Sequence, residues 1–291
     1  MQSARFLCMR TEPTISGFGL GLRPSFAATL PATTRQLDFL EVIPENWIGS
    51  GGERRRTLEQ CRERWPLVPH SVSLSLGGVD PLDDDFIEQA RDFAAAIGAP
   101  FWSDHIACSR LCGAYAHDLL PVPFSWEAID NLVGRFRAAE ARLGVPVVLE
   151  NPTYYARMPG STLTEGRFLS EVLEGCDAGF LLDVNNVYVN SCNHGFDPYA
   201  LIDELPLERV VQLHMAGHSR GHLQVVDTHG APVSEAVWQL YEHTIRRARR
   251  IVPTLIEWDS DIPSLDRLLD EVDTARSRAT AALASLVTEA A

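Results

Sequence analysis

The feature that most constrains this chain is a short apolar run that recurs eight times, with helix-like stretches between the runs. Runs of this length and composition are typical of parallel strands buried on both faces. Eight β/α units in 291 residues favour an α/β fold of the (β/α)8 TIM-barrel type over an open doubly wound sheet. We predict one barrel domain over 1–291, with roughly 15 peripheral residues at each end. The predicted strands span 18–22, 39–43, 68–76, 101–106, 146–150, 180–184, 210–215 and 254–257.

Six helices are predicted between the strands, and residues at their ends support several of them. Ser125 and Ser234 are favourable N-cap residues, and Gly98 and Gly144 are favourable residues just past a helix end. The last helix is expected to run out into a loose tail over 274–291. The predicted helices span 54–64, 84–97, 126–143, 165–173, 234–250 and 263–286.

The charged residues exclude several kinds of chemistry. All 25 basic residues are arginine, so a Schiff-base lysine, a pyridoxal-phosphate site and a P-loop lysine are impossible. Acidic residues outnumber basic ones 39 to 25, for a net charge of −14. This balance disfavours nucleic acid and anionic membranes as partners.

Targeting signals and cysteine usage predict a cytoplasmic protein. No run of about 18 apolar residues occurs, so no membrane span is predicted. The N-terminal residues lack the apolar stretch and cleavage site of a secretory signal. Six scattered cysteines without a CxxC pair are typical of reduced thiols. Cys108 and Cys112 are the only close pair, for which a redox or disulfide role stays open.

Polar side chains of a few types close almost every predicted strand. In a barrel these C-terminal strand ends converge on one face, where active sites lie. Imidazole and carboxylate together suit divalent iron, manganese or zinc. The strand ends therefore predict a metal site built from His70, His105, Glu150, Asp183, His214 and Glu257.

A further pair of ligand types follows the seventh strand. Asp227 and His229 lie at i and i+2, and in extended backbone such side chains point the same way. More than four ligands suggests more than one ion, and Glu150 could bridge two ions.

Other polar residues near the strand ends have open roles. Asn151 and Asn186 could bind metal or orient ligands from outside, and His218 and Asp104 are further candidates for either role. Glu41 and Glu45 are interpreted either as site residues or as structural acids that pair with arginine.

The chain as a whole resembles a known family. It is similar to the multinuclear non-haem iron-dependent oxidases, whose relatives include the methanobactin-biosynthesis oxidase. The resemblance covers roughly residues 17–275, nearly the whole chain. The matching segments are GFGLGLRP (17–24), DFLEVIPENWIG (38–49), HSVSLSLGG (70–78), WSDHIACS (102–109), VVLENPTYY (147–155), LLDVNNVYVN (181–190), QLHMAGH (212–218), VDTHG (226–230) and PTLIEWDSDIP (253–263).

The resemblance implies a xylose-isomerase-like barrel that holds two or three iron ions in mixed Fe2+ and Fe3+ states. It implies an O2-dependent oxidation of cysteine, or of another side chain, in a ribosomally made precursor peptide. It also implies a heterodimer with a partner protein that recognises the peptide leader. Catalysis would centre on Glu150, Asp183 and His214, and the implied ligands are His70, His105, Glu150, Asp183, His214, Asp227, His229 and Glu257.

One segment departs from the family pattern, and other functions remain as alternatives. Residues 24–27 read Pro-Ser-Phe-Ala where many relatives carry an aromatic or histidine-bearing stretch, which points to a different substrate. The alternatives are a divalent-metal sugar isomerase or a multi-zinc endonuclease on the same barrel, and a metal-storage module. An isomerase of this kind often uses a lysine, and an endonuclease would meet acidic DNA with an acidic surface.

Overall fold

The computed structural model describes residues 15–289. Eight of its strands run parallel in one sheet, and four more form two antiparallel hairpins. The strands are β1 (Phe18–Gly21), β2 (Phe39–Val42), β3 (Leu67–Pro69), β4 (Trp102–His105), β5 (Cys108–Leu111), β6 (Ala114–Leu120), β7 (Val147–Glu150), β8 (Gly179–Asp183), β9 (Val210–Met215), β10 (Ser219–Arg220), β11 (Val225–Val226) and β12 (Thr254–Ile256).

The eight parallel strands form a nearly closed barrel. Their order is β3-β2-β1-β12-β9-β8-β7-β4, so neighbours in the chain are neighbours in space. The two outer strands meet through a parallel bridge between His70 and Ser103, where Ser71 N donates to Ser103 O at 2.8 Å. The predicted (β/α)8 barrel is confirmed.

Helices cover the outside of the barrel and begin at polar caps. Ser125 Oγ accepts from Ala128 N, and Gly98 and Gly144 end two helices with φ of 68° and 74°, a conformation that glycine adopts without strain. The α-helices span Pro24–Ala27, Gly52–Arg64, Asp84–Ile97, Trp126–Leu143, Glu165–Cys176, Val184–His194, Pro198–Glu204, Glu235–Ala248 and Leu265–Glu289.

The third predicted strand is wrong in its extent. It was expected to reach residue 76, whereas β3 ends at Pro69. The chain then leaves the sheet because a buried side chain takes the place of a neighbouring strand: Asp104 Oδ2 accepts from Leu74 N at 2.9 Å. Leu74 and Leu76 are buried here as loop residues rather than as strand.

The sequence did not predict the helices Val184–His194 and Pro198–Glu204 or the two hairpins. The first of these helices is rich in Val and Asn, which are weak helix formers. It forms because Asp183 caps it, accepting from Asn186 N at 2.6 Å, and because Val184 and Val187 are fully buried. Tertiary packing thus overrides local propensity.

The predictions for the chain ends and the cysteines have different outcomes. The last helix continues to Glu289, with Ala275 and Ala279 buried along it, so the tail expected over 274–291 is largely helical. No disulfide joins the cysteines of the described region, Cys108 and Cys112 included. Cys8 and the expected peripheral N-terminal residues 1–14 lie outside that region. Over residues 15–289, no helix combines the length and the apolar character needed to cross a membrane.

The barrel interior begins with an apolar layer, which we call the barrel floor. Its residues belong to a buried cluster separate from the larger core that the helices share with the outer face of the sheet. Alternation along each strand explains the separation, because successive side chains point to opposite faces. The barrel floor comprises Ile15, Phe39, Val68, Phe101, Val148, Leu181, Val211 and Leu255.

Candidate metal centre

A polar layer lies directly beyond the barrel floor on the same strands. Phe39 in the floor is followed by Glu41, and Val148 by Glu150, because residues two apart in a strand face the same side. These polar side chains are buried, with exposed fractions between 0% and 7%. The same spacing relates Val68 to His70, Leu181 to Asp183 and Leu255 to Glu257.

Glu150 is the centre of a first group of ligand atoms. Its Oε2 lies 3.1 Å from Nε2 of both His70 and His105, and its Oε1 lies 3.4 Å from His214 Nδ1. The ligand atoms of His70, Glu150 and His214 all lie within 4.8 Å of one another. Such a group could hold one metal ion, with His105 beside it.

Glu257 joins two further groups. In one it lies with Glu41 and His214, and its Oε2 is 3.1 Å from His214 Nδ1. In the other it lies with Asp183 and His229, and the same Oε2 is 3.3 Å from His229 Nδ1. Because His214 also belongs to the first group, the three groups share members and form one continuous cluster.

The predicted Asp227–His229 pair lies at the edge of this cluster. His229 Nε2 is 2.8 Å from Asp227 Oδ1 and 4.0 Å from Asp183 Oδ2. Asp227 is held from outside, because Asn185 Nδ2 donates to its Oδ1 at 2.7 Å and Thr153 Oγ1 donates to its Oδ2 at 3.1 Å. The structure therefore brings all eight predicted ligands together.

Several inward-facing atoms of the cluster have no hydrogen-bond partner among the described residues. They are buried, and an unpartnered buried polar atom is costly unless something else binds it. A metal ion is what such a set of imidazole nitrogens and carboxylate oxygens would bind, so the residues fit one. The atoms are Glu41 Oε1, Glu150 Oε2, Asp183 Oδ2, His214 Nδ1 and His229 Nε2.

The acidic members of the cluster have opposite pKa shifts. Burial disfavours the ionised form of Glu257, but the imidazoles of His229 and His214 outweigh burial and hold its pKa well below the usual range. Burial raises the pKa of Asp183 well above the usual range, and the charges of Glu150 and Asp227 add to this. A cation between these groups would stabilise both carboxylates in the ionised form.

The histidines also differ in pKa. Burial favours neutral imidazole, and in His70 the neighbouring His105 and His214 act the same way, so its pKa is well below normal. In His214 and His229 the surrounding carboxylates overcome burial and raise the pKa well above normal. For His105 the same competition, with Glu150 the main carboxylate, raises the pKa to about 9.

Hydrogen bonds from outside fix which nitrogen of each histidine faces the cluster. Ser103 Oγ donates to Pro69 O at 3.3 Å, so its oxygen can accept from His70 Nδ1 at 2.9 Å. His70 then presents Nε2 to Glu150. On His214 the order is reversed: Nε2 lies 2.9 Å from Glu41 Oε2, so Nδ1 faces the cluster.

Glu41 is a residue whose role the sequence left open between site and structure. Its partner is not the arginine that the structural interpretation expected. Glu41 Oε2 accepts from Gln212 Nε2 at 2.6 Å and lies beside His214. Both Glu41 and Gln212 face inward at alternate strand positions, a signal that could have identified them.

The remaining predicted residues lie around the ligands. Asn151 pairs with the Asp183 backbone, donating to its O at 3.0 Å and accepting from its N at 2.9 Å. Asn186 Nδ2 donates to Asn151 O at 3.0 Å. His218 Nδ1 reaches Asn185 Oδ1 at 2.8 Å, so it contacts Asp227 only through that amide. Asp104 supports the loop after β3 and stays 3.6 Å from His105 Nδ1.

The cluster opens into a cavity of about 510 Å³ at the barrel mouth. His70, His105 and Glu150 line its base, and the side chains of Val72 and Leu119 line its rim. The hairpin β5–β6, which supplies Leu119, thus covers part of the entrance. A small molecule or a side chain of a larger substrate can reach the ligands from this side.

Comparison with known proteins identifies the family. A family model described as "RiPP precursor modification enzyme MbnB/TglH/ChrH" matches residues 17–280; RiPPs are ribosomally made, post-translationally modified peptides. The chain belongs to this family. The family assignment made from the sequence is confirmed, and the family is one of enzymes that modify such precursors.

The relatives and structural neighbours support the fold of this chain but assign no activity to it. UPF0276 proteins of Anaeromyxobacter sp. (strain Fw109-5) and Caulobacter vibrioides (strain NA1000 / CB15N) are 43% and 40% identical over 270 and 271 residues. The matches cover 93% of this chain and 95% and 96% of those relatives. A D-allulose 3-epimerase from Methylomonas sp. aligns with a TM-score of 0.57 and 17% identity, covering 95% of this chain and 98% of that chain. At that identity the likeness shows the fold alone, a barrel of the xylose-isomerase type.

Proposed function

We propose that this protein is an iron-dependent oxidase that uses O2 to modify a cysteine, or another side chain, in a ribosomally made precursor peptide. It acts in the cytoplasm with a partner protein that binds the peptide leader. Family membership supports the peptide substrate. The observation that carries the proposal is the cluster of three overlapping histidine–carboxylate groups at the base of one open cavity.

Two or three ions would be held by the three groups. His70, His105 and Glu150 would hold one ion, and His214 with Glu257 would hold a second. Asp183, Asp227 and His229 would hold a third, on the side of the cluster that faces the loop after β11. Bound iron supplies one-electron chemistry with O2 that no side chain of this chain can perform.

The protein's own residues keep the ligands in place. Ser103 holds the ring of His70, while Glu41, which Gln212 holds in turn, holds that of His214. Asp183 uses one oxygen, Oδ1, to cap the helix that follows it, which leaves Oδ2 for the cluster. Such outer contacts orient ligands and tune the metal, and their loss typically costs about 10–100-fold in affinity or activity.

The cavity suits a peptide whose reactive side chain enters from above. Its volume of about 510 Å³ lies in the range of small-ligand sites, enough for one side chain and its backbone. Val72, Leu119 and Ile262 supply an apolar rim, which excludes water around a bound side chain.

Metal analysis of anaerobically purified protein, with Mössbauer and EPR spectroscopy, tests the proposal. We expect two to three irons per chain and a coupled mixed-valence signal, and a Glu150→Gln variant purified in parallel should lose this signal. With a cysteine-bearing precursor and its leader-binding partner, O2 consumption should accompany a mass change in the peptide. Stoichiometric zinc or manganese after growth in iron-rich medium, without O2 consumption, would instead indicate an isomerase or a nuclease.

A further inference from the structure

Arg23 is a buried cation beside the metal cluster that the proposed function does not use. It follows β1 and is 4% exposed. It is the one arginine among the described residues that line the cavity. A permanent positive charge next to metal ions is unfavourable unless it does something for their ligands. Its contacts show what that is.

The guanidinium of Arg23 holds two carboxylates. Nη2 donates to Asp259 Oδ1 at 2.6 Å and to Glu257 Oε1 at 3.3 Å. Nε donates to Trp258 O at 2.9 Å. Three successive residues after β12 are thus fixed by one side chain, and the planar fork of arginine suits this pattern in a way that lysine does not.

These contacts leave one oxygen of each carboxylate facing Arg23 and the other facing a histidine. Glu257 Oε1 faces Arg23, so Oε2 is left to face His214 Nδ1 at 3.1 Å and His229 Nδ1 at 3.3 Å. Asp259 Oδ1 faces Arg23, so Oδ2 is left 3.1 Å from His229 Nδ1. With Nδ1 donating to Asp259, His229 presents Nε2 to Asp183 and Asp227.

The chain also makes room for the guanidinium. A Cβ at Gly21 would lie 2.8 Å from Arg23 Nη1, closer than side-chain atoms normally approach. Gly21 lies in β1 with extended backbone, so its lack of a side chain serves this close approach. The sequence segment GLR therefore encodes both the cation and its space.

We propose that Arg23 is a positioning residue of the metal centre, which aims Glu257 Oε2 and His229 Nε2 at the ions. This inference rests on the metal-binding part of the proposed function. Arg23 touches members of the two groups that contain Glu257 but none of His70, His105 or Glu150. Its removal should therefore deplete one side of the cluster and spare the other.

Metal content and spectra of Arg23→Met, Arg23→Lys and wild type test this role. We expect Arg23→Met to keep the ion at His70 and Glu150 and to lose metal from the Glu257 side, with an about 10–100-fold weaker affinity there. Arg23→Lys restores the charge without the fork, so it should recover only part of the metal. Arg35→Met is the matched control, because Arg35 also joins two aspartates, Asp270 and Asp273, but on the surface.

The outcomes separate the two proposals. Wild-type metal content and an unchanged spectrum in folded Arg23→Met would overturn the positioning role. If Arg23→Met does not fold, Asp259→Ala, at a partly exposed site, should show the same one-sided loss, and unchanged metal in it would also overturn the role. Zinc in place of iron, lost selectively in Arg23→Met, would refute the iron oxidase and support Arg23. Wild type that binds no metal would refute both.

Discussion

The barrel floor and the metal centre are two layers inside the same barrel, built on the same strands two residues apart. In the floor, Phe39, Val148 and Leu181 pack against one another and are buried at 3% exposure or less. In the metal centre, Glu41, Glu150 and Asp183 are equally buried but each leaves an oxygen without a hydrogen-bond partner. Burial to the same extent therefore packs apolar side chains in the floor but leaves oxygen atoms without hydrogen bonds in the metal centre.

The difference shows where stability and function separate in this molecule. Burial of apolar side chains stabilises the floor, whereas burial of charged groups whose hydrogen bonding is incomplete costs free energy in the layer above. Such a layer persists only where the surrounding structure holds it, and strained or unsatisfied groups of this kind concentrate at functional sites. Substitutions in the two layers should therefore have different consequences.

The largest effect is expected at Glu150. Glu150→Gln removes the carboxylate that lies between His70, His105 and His214, so the first ion should be lost and turnover should fall below detection. The metal-free variant should still fold, and any fall in its free energy of unfolding comes from the lost charge beside Nε2 of His70 and His105. Metal analysis and denaturant unfolding of the same sample measure both. A variant that keeps its metal would show that Glu150 is not a ligand.

The reverse pattern is expected in the floor at Phe39. Its ring fills the space beside Gly19, where a Cβ would lie 2.5 Å from the ring. Phe39→Ala should lower the free energy of unfolding by about 3–5 kcal/mol, while the folded fraction keeps its metal. Urea unfolding checks the first and metal analysis the second. Val79→Ala, at an exposed site, is the control; metal loss in the folded Phe39 variant would show that the layers are coupled.

Glu41→Gln tests the contact between the metal centre and its support. Glutamine keeps the size of the side chain but removes the charge beside His214 Nε2. We expect metal affinity or activity to fall about 10–100-fold, with the fold unchanged by circular dichroism. Glu59→Gln, which alters an exposed pair with Arg55, should have no effect. A complete loss equal to that in Glu150→Gln would instead make Glu41 a ligand.

The sequence predicted the strands and the candidate ligands at their ends, but neither the barrel floor nor the contacts that support the ligands. The eight predicted strands rest on short apolar runs, and the eight predicted ligands rest on the polar residues that end those runs and on the i, i+2 spacing of Asp227 and His229, all of which are local patterns. The contact between Arg23 and Asp259 was not predicted, because the two residues are 236 positions apart in sequence. The helix Val184–His194 was not predicted, because packing and the Asp183 cap stabilise this helix rather than the helix propensity of its residues.

Glu165 offers a half-buried carboxylate that makes no ion pair with an imidazole among the described residues. Tyr154 OH donates to its Oε2 at 2.9 Å and Asn190 Nδ2 to its Oε1 at 3.0 Å. Burial raises its pKa to about 7, although both hydrogen bonds act in the opposite direction. In Glu257, by contrast, two imidazoles reverse the effect of burial. Comparing Glu165 with Glu257 therefore separates the effect of burial on a carboxyl pKa from the effect of charged partners.

The smallest effect is therefore a pH dependence at Glu165. A carboxyl whose pKa is higher in the folded state binds its proton more tightly when folded, so its contribution is present below the unfolded value of 4.5 and is lost as pH rises to about 7. Glu165→Gln removes this loss, so across that window the variant should gain about 1–2 kcal/mol relative to wild type, which is less than the full pKa shift implies because the half-buried carboxyl keeps part of its hydration. Denaturant unfolding of the metal-free proteins across this pH window measures the gain, with the exposed Glu63→Gln as control. Parallel pH profiles for Glu165→Gln and wild type would show that the protein around Glu165 leaves the carboxylate accessible to water, and the contrast with Glu257 would then rest on the imidazoles alone.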